Sequence, residues 1–251
     1  MAMAYAALNT INEPAERRCN AAAGCVNCGA RELSVCAAMP ASDMSRVTSI
    51  VSHRRADAGE TLLNEGDKAT HFLNIVDGTV KVYKLLPDGR RQITGFLYPG
   101  DLLGLAFNDT YTSTVEALTP VKYCLFPRRQ FERVVDEFRP MEKQLLARAS
   151  NELVAAQEQM VMLGRKTAQE KIASFLMALI DRNRRVNKRS DSVVLTMTRA
   201  DIADYLGLTT ETVSRGFTRL KTEGWIELCA GGKVRVCDVE ALSELAAGAD
   251  R

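Results

Sequence analysis

The feature that most constrains the fold is a change of hydrophobic period near residue 139. Between residues 47 and 127, short runs of β-branched and aromatic residues alternate with polar residues, as in half-buried strands. Asp77-Gly78 and Asp88-Gly89 separate such runs and predict hairpin turns, and Pro99-Gly100 marks a further turn. Several short strands at regular spacing predict a β-sandwich or barrel.

From about Arg139 the apolar residues recur in alternating steps of three and four, which is typical of a long helix that packs on a partner helix. The seam consists of Leu146, Ala149, Leu153, Ala156, Met160 and Leu163. This stripe could instead pack on the β domain of the same chain. A second apolar flank, formed by Leu145, Val154, Val161 and Met162, could pack on the β domain and leave the seam free to meet a partner helix. We therefore favour a parallel homodimer joined along the seam.

The C-terminal part has the signals of a winged helix-turn-helix. Thr198 is the expected N-cap of a short helix over residues 199–206, with Asp201 at the third helical position as in a capping box. After a glycine turn, a second helix is expected from Thr209 to about Glu223. A predicted β-hairpin follows, and this order of elements is typical of DNA-binding domains.

Three polar residues near the start of the second helix share one face, because they stand at i, i+3 and i+4. They are Glu211, Ser214 and Arg215, and we expect them to read bases in the major groove. Candidate phosphate contacts are Arg199, Arg219 and Lys221. From Arg165 to Lys221, twelve Lys and Arg stand against six Asp and Glu, a local charge of 12 − 6 = +6 that favours a polyanion such as double-stranded DNA.

Three of the seven cysteines lie within twelve residues, in "CVNCGARELSVC". Cys25, Cys28 and Cys36 have C-x2-C-x7-C spacing, and close pairs of this kind let two thiolates reach one metal or one cluster. A site ligated only by cysteines needs a fourth thiolate, and the candidates are Cys19 nearby, Cys124 in the β region, and Cys229 and Cys237 in the wing. The arm contains no histidine, which argues against mixed nitrogen and sulfur ligation. Spacing alone leaves zinc and iron–sulfur equally open.

Composition excludes several other classes of protein. No apolar run in the 251 residues approaches the roughly 20 that a membrane-spanning helix needs. The N-terminus lacks the pattern of a signal peptide, so we expect a cytoplasmic protein, in which structural disulfides are rare. The chain has only two histidines, no Ser/His/Asp set and no phosphate-cradling glycine loop, so we do not expect an enzyme.

Taken together, the cysteine arm, β domain, seam helix and winged helix-turn-helix resemble the CRP/FNR superfamily, and specifically its oxygen-responsive FNR branch. The resemblance is carried by "LTMTRADIADYLGLTTETVSRGFTRL", "DGRRQITGFLYPGDLLG" and "KYCLFP". It implies an α+β fold with an N-terminal β-roll like that of cyclic-nucleotide-binding domains. The expected parts are an arm (1–40), the β-roll (41–137), a dimerisation helix (138–165) and the DNA-binding domain (166–251).

The same resemblance implies one oxygen-labile 4Fe–4S cluster per subunit, with Cys25, Cys28, Cys36 and Cys124 as its ligands. A competing ligand set contains Cys19 in place of Cys36. Oxygen would then degrade the cluster, release the arm and lower the affinity for DNA. The alternative is a CRP/FNR-type regulator with a structural zinc site or with a different effector. Cys229 and Cys237 match no ligand position of the family and are expected to be small apolar residues of the wing.

Further expectations follow from the resemblance. The DNA half-sites would be like TTGAT and ATCAA, and the loop at Asp88 and Gly89 would contact RNA polymerase in promoter activation. Binding of a cyclic nucleotide is not expected, because Leu105 stands where that branch has a Glu and Tyr111 or Thr112 where it has an Arg.

The dimer helix departs from the family in one respect. FNR-type proteins commonly carry an acidic residue in the seam, whereas Ala156 stands at the matching place. The chain could therefore remain dimeric without its cluster.

Overall fold

A computed structural model describes residue 25 and residues 27–104, 109–186 and 191–248 of the chain. The arm contains two short 3-10 turns, Val35–Ala38 and Ala41–Asp43, and leads into helix α1 (Met44–Thr48). We expected β structure from residue 47, but the first strand begins at Ser52, after α1.

Within the described residues, the β-roll has eight strands in two antiparallel sheets, with the orders β1-β8-β3-β6 and β2-β7-β4-β5. The strands are β1 (Ser52–Ala56), β2 (Thr61–Leu63), β3 (His71–Asp77), β4 (Val80–Leu85), β5 (Arg91–Leu97), β6 (Leu102–Leu103), β7 (Thr114–Ala117) and β8 (Val121–Pro127). Both predicted hairpin turns are present, at Asp77-Gly78 between β3 and β4 and at Asp88-Gly89 between β4 and β5. Gly78 and Gly89 have φ of 90° and 84°, which glycine adopts without steric cost.

Three helices follow the β-roll: α2 (Arg128–Glu137), α3 (Arg139–Arg165) and α4 (Ala168–Val186). Helix α3 confirms the predicted change of period at Arg139. Helix α2 was not predicted. Only two of its residues, Phe131 and Val134, are buried, and a spacing of three that occurs once is too short to show a helical period. Helix α4 ends at Val186, the last described residue before the gap at 187–190.

The C-terminal domain contains the predicted helix-turn-helix, α5 (Arg199–Leu206) and α6 (Thr210–Thr222). The capping box of Thr198 and Asp201 is present, and Gly207 ends α5 at φ 62° in the left-handed region. The wing is a three-stranded sheet of β9 (Ser192–Val194), β10 (Ile226–Leu228) and β11 (Lys233–Val236). Strand β9 and a final helix, α7 (Val239–Ala247), were not predicted.

The described part of the arm is held in a hydrophobic core. Val35 and Met39 are 0% and 1% exposed, and they pack in one cluster with Phe72 and Phe126 of the β-roll and Phe131 of α2. The arm pattern is not periodic because its turns are irregular, so neither a helical nor a strand period could reveal these contacts.

The DNA-binding domain packs against the sheet that contains β4 and β5. Phe96 of β5, Phe175 of α4 and Tyr205 of α5 form an aromatic cluster with ring centroids 5.2–6.1 Å apart. The fold is thus α+β, with a β-roll, a long helix and a winged helix-turn-helix, as predicted. Across the described residues, no helix is long and apolar enough to cross a membrane.

Candidate DNA-binding surface and cysteine site

Helix α6 is positioned by its apolar face. Val213, Phe217 and Leu220 are buried, and Gly216 lies so close to Ile172 of α4 that an added Cβ would stand 2.2 Å from Ile172 Cδ1. This packing turns the opposite face outward along the first two turns of the helix. The predicted base-reading residues lie on that exposed face.

Two of these residues pair with each other in the free protein. Arg215 Nη2 donates to Glu211 Oε1 at 2.6 Å, and both side chains are at least 70% exposed. Ser214 Oγ donates to the carbonyl oxygen of Thr210 at 2.9 Å. An exposed i, i+4 pair contributes only about 0.3–0.5 kcal/mol, so both side chains can exchange partners at little cost. The face can therefore present both a carboxylate and a guanidinium to base edges.

The three candidate phosphate contacts differ in their surroundings. The Arg199 guanidinium lies 3.4 Å from the centroid of the Phe217 ring, and burial lowers the pKa of Arg199. Arg219 Nε donates to Glu223 Oε1 at 2.8 Å, and Lys221 is exposed. Arg199 thus has a packing role within the helix-turn-helix, while Arg219 and Lys221 lie on the outer surface. A phosphate contact remains a prediction for all three.

The cysteine site joins the arm to strand β8. Cys25 and Cys124 are buried in one apolar cluster, with Cys36 packed at its edge. Burial raises the pKa of Cys124, and the charges of Cys25, Cys28 and Cys36 raise it further. The fold therefore brings Cys25 and Cys36 of the arm into the same cluster as Cys124 of β8. Cys19 lies outside the described residues.

The arrangement of these thiols bears on which group could be held. Within the described part of the chain, no three His, Cys, Asp or Glu side chains are arranged to hold a metal ion. A zinc site would need four ligands converging on one point, at about 2.3 Å for each thiolate. A 4Fe–4S cluster takes four cysteine ligands, one on each iron, and so suits thiols that surround a larger volume. A donor set of four cysteines, two of them buried in an apolar cluster, fits the chemistry of such a cluster.

His53 is a neighbour of the site that sequence reasoning missed. Its Nε2 lies 3.9 Å from Cys25 Sγ, and burial lowers its pKa. We had set histidine aside because none lies in the arm. The pairing of β1 with β8, however, places His53 directly opposite Cys124. No sequence signal marks this neighbour, since the two residues are far apart in the chain.

The seam of α3 divides into an exposed part and a packed end. Leu146, Leu153 and Met160 are 61–71% exposed, Ala149 and Ala156 are exposed as well, and Leu163 is half-buried with its Cδ2 close to Gly207. The proposed second flank also divides. Leu145 and Met162 pack inward, whereas Val154 and Val161 are exposed and widen the apolar stripe. Of the flank residues that could pack on the β domain, only Leu145 lies against the cluster that contains β-roll residues, and Met162 packs in the core of the C-terminal domain.

The loop expected to contact polymerase is an exposed turn between β4 and β5. Asp88 accepts from the Arg90 backbone N–H at 3.0 Å and from Arg90 Nε at 2.7 Å, and these bonds lower the pKa of Asp88. The left-handed conformation of Gly89 reverses the chain here. The turn holds one carboxylate at the tip of the β-roll.

A cavity of about 1050 Å³ lies between the β-roll and α3. Leu105 lies outside the described residues. Tyr111 is buried and its hydroxyl donates to the carbonyl oxygen of His71 at 3.0 Å, so it is held by the protein itself. Thr112 is exposed. The described residues 109–113 contain no arginine that could hold a phosphate in a bidentate way.

The wing cysteines lie at the two ends of the hairpin. The Cys229 N–H donates to the carbonyl oxygen of Lys233, and the Cys237 N–H donates to that of Trp225, both at 2.8 Å. Cys229 is half-buried and Cys237 is exposed, so Cys237 does not serve as a packed apolar residue.

Comparison with known proteins gives the same two-part division of the chain. Residues 53–138 match the model of the cyclic nucleotide-binding domain, and residues 170–245 match that of the Crp-like helix-turn-helix domain. The nitrogen fixation regulation protein FixK of Bradyrhizobium diazoefficiens is 39% identical over 223 residues, which cover 89% of this chain and 94% of FixK. The transcriptional activator protein FnrL of Cereibacter sphaeroides is 37% identical, covering 88% and 90%.

A solved structure agrees with the sequence relatives. FixK2 from Bradyrhizobium japonicum is 33% identical and superimposes with a TM-score of 0.73, covering 80% of this chain and 100% of FixK2. The β-roll and the exposed face of α6 define a DNA-binding regulator with an N-terminal sensor-type domain. The chain belongs to the CRP/FNR family of transcription regulators, and so it is not an enzyme.

Proposed function

We propose that this protein is an oxygen-responsive transcription activator that binds palindromic DNA as a homodimer and holds one 4Fe–4S cluster per subunit. The ligands are Cys25, Cys28, Cys36 and Cys124. The observation that carries the proposal is that Cys25 and Cys124, about 100 residues apart in the chain, are buried in one apolar cluster with Cys36 packed against it. A purely structural core would not need four cysteines at one place, because each contributes only a small apolar side chain.

The protein provides the surroundings that such a group requires. Apolar side chains exclude water on the β-roll side, and His53 lies beside the Cys25 thiol. Burial raises the pKa of the Cys25, Cys36 and Cys124 thiols in the free protein, so binding of the cluster would have to displace these protons. When bound, the cluster would supply reactivity towards oxygen, and it would tie the arm thiols to β8 in addition to the apolar contacts of Val35 and Met39.

The rest of the function follows from the DNA-binding surface. The exposed stripe of α3 pairs two subunits, and each subunit presents one α6 helix to a half-site like TTGAT or ATCAA. Asp88 and Gly89 contact RNA polymerase from the tip of the β-roll. The names of relatives such as FnrL support activation of transcription. Cyclic nucleotides do not serve as effector, because residues 109–113 offer no phosphate-binding arginine.

The test is purification under anaerobic conditions, with iron and sulfide counted per chain and the visible spectrum recorded. DNA affinity is then measured on a palindrome of the two half-sites before and after exposure to air. We expect an iron-containing, coloured protein whose affinity falls in air. A colourless, iron-free anaerobic protein that binds DNA with full affinity would refute the proposal. Zinc in place of iron would favour a structural metal site.

Cysteine variants identify the ligands. We expect Cys36→Ala and Cys124→Ala to lose iron, while Cys19→Ala keeps it, with Cys229→Ala as a control in the wing. If Cys19→Ala loses iron and Cys36→Ala keeps it, the competing ligand set is the true one.

A further inference from the structure

Arg148 of α3 binds two other parts of the molecule at once. Its Nη1 donates to the carbonyl oxygen of Gly100, in the turn after β5, at 3.0 Å. Its Nη2 donates to the carbonyl oxygen of Leu33, in the arm between Cys28 and Cys36, at 2.5 Å. One guanidinium thus links the dimer helix, the β-roll and the loop that carries the arm cysteines.

The arm and the β-roll are also in direct backbone contact at this point. Gly100 has φ +93°, and an added Cβ would stand 2.5 Å from the carbonyl oxygen of Leu33. The Gly100 N–H donates to the carbonyl oxygen of Ile75 at 2.8 Å, which fixes the turn to β3. Only glycine permits this approach, so the position of Leu33 is tied to a rigid part of the sheet.

Residues of the same turn also contact the C-terminal domain. Arg182 of α4 donates through Nη2 to Asp101 Oδ2 at 2.8 Å, and its guanidinium lies 4.4 Å from the centroid of the Tyr98 ring. Asp101 Oδ2 also accepts from the Tyr98 N–H at 2.9 Å. Residues 98–101 therefore contact the arm, the dimer helix and the helix that supports α6.

We propose that Arg148 is a positioning residue that couples the order of the cysteine arm to the placement of α3 and, through residues 98–101, of the DNA-binding domain. The inference rests on the proposed function, because loss of the cluster is the event that would release the arm. When the arm is in place, Leu33 and Gly100 together hold the guanidinium. When the arm leaves, Nη2 loses its acceptor in a half-buried position, and the helix is no longer held in the same place. Docking of the arm and placement of α3 are thereby linked, and each affects the other by the same free energy.

The geometry requires arginine. Two nitrogens of a planar guanidinium reach two carbonyl oxygens in a fixed arrangement, whereas the single ammonium of lysine binds as a point charge. Arg148→Lys keeps the charge and the apolar stem but loses the fork, and Arg148→Gln loses both charge and fork. Lys143→Gln is the matched control, because it removes one positive charge from an exposed position of the same helix.

The first measurement compares DNA affinity of anaerobic, iron-loaded protein with that of air-exposed protein. We expect both Arg148 variants to keep the iron content and anaerobic spectrum of the wild type. The ratio of the anaerobic to the air-exposed DNA affinity should fall about tenfold. Lys143→Gln should keep the wild-type ratio. An unchanged ratio in both Arg148 variants would overturn the proposal, whereas absence of iron from the wild type would count against the proposed function instead.

The second measurement needs no iron. Amide hydrogen exchange in residues 30–36 and 98–101 reports whether Arg148 holds the arm on the turn. We expect exchange in both segments to be about tenfold faster in Arg148→Gln than in wild type or Lys143→Gln, because bonds to a charged donor are lost. Equal exchange in all three proteins would show that Arg148 does not position the arm, with or without a cluster.

Discussion

The Lys81 ammonium lies 3.1 Å from Oδ1 of Asp201, and this buried ion pair joins strand β4 to the first helix of the helix-turn-helix. The two side chains are only 8% and 5% exposed. Lys81 Nζ also lies 2.9 Å from Glu116 Oε1, and Arg91 Nη2 lies 3.1 Å from the same Asp201 oxygen. The β-roll and the DNA-binding domain are therefore fixed to each other by a network that water barely reaches.

Loss of the Lys81 charge should destabilise the protein. We expect Lys81→Ala to lower the free energy of unfolding by about 3 kcal/mol, because the half-buried Glu116 loses its ammonium and the buried Asp201 keeps only Arg91 as a cationic partner. Lys84→Ala is the control on the same strand, since its pair with Glu65 is exposed and contributes at most about 1 kcal/mol. Urea unfolding followed by fluorescence of Trp225, the single tryptophan, measures both. Equal losses in the two variants would refute the buried-pair argument.

The same network predicts a dependence on acid pH. Burial alone would raise the pKa of Asp201, but hydrogen bonds from Thr198 and the charge of Lys81 lower it below the usual 3.8. A group with a lowered pKa stabilises the folded state above its unfolded value, and the contribution is lost as the pH falls through the folded value. We therefore expect the stability advantage of wild type over Asp201→Asn to be full above about pH 4 and to shrink below it. Unfolding midpoints measured from pH 6 down to pH 3 test this, and a constant difference would contradict it.

Substitutions on α6 should separate base reading from phosphate contact. We expect Arg215→Ala to cost about 1–3 kcal/mol on the preferred palindrome and to relax the choice at one base pair. Arg219→Ala should instead weaken binding equally on all sequences and reduce the salt dependence by about one ion. Competition binding against single-base variants of the half-site, at several salt concentrations, measures both effects. If Arg215→Ala weakens all sites equally, its base-reading role is wrong.

The exposed stripe of α3 predicts how dimerisation can be blocked. Leu153→Asp places a charge in the middle of the seam, and we expect the dimer dissociation constant to rise at least about 100-fold because the carboxylate would be buried unpaired. Asn151→Asp is the control, since this exposed residue lies on the same helix and points away from the seam in the heptad pattern. Sedimentation equilibrium of the two variants gives the answer. A dimeric Leu153→Asp protein would place the interface elsewhere.

Short-range patterns in the chain determined most of the architecture. Asp77-Gly78 and Asp88-Gly89 predicted their hairpins, because glycine supplies the left-handed conformation that such turns require. The capping box at Thr198 predicted where α5 begins, and the heptad pattern predicted where α3 begins. All of these signals lie within a few residues of the structure that they specify, so the sequence alone is sufficient to find them.

Only the tertiary structure decided which residues meet across long separations. Strand alternation places Lys81 on the opposite face from Val80, and that pattern is read as solvent-facing, yet the DNA-binding domain covers this face. Arg148 is one more polar residue on a long helix until the fold brings Leu33 and Gly100 to it. His53 lies beside the cysteines only because β1 pairs with β8. The physical reason is that side-chain periodicity reports which face is buried by regular packing, whereas an ion pair or a guanidinium fork between distant segments leaves no period in the sequence.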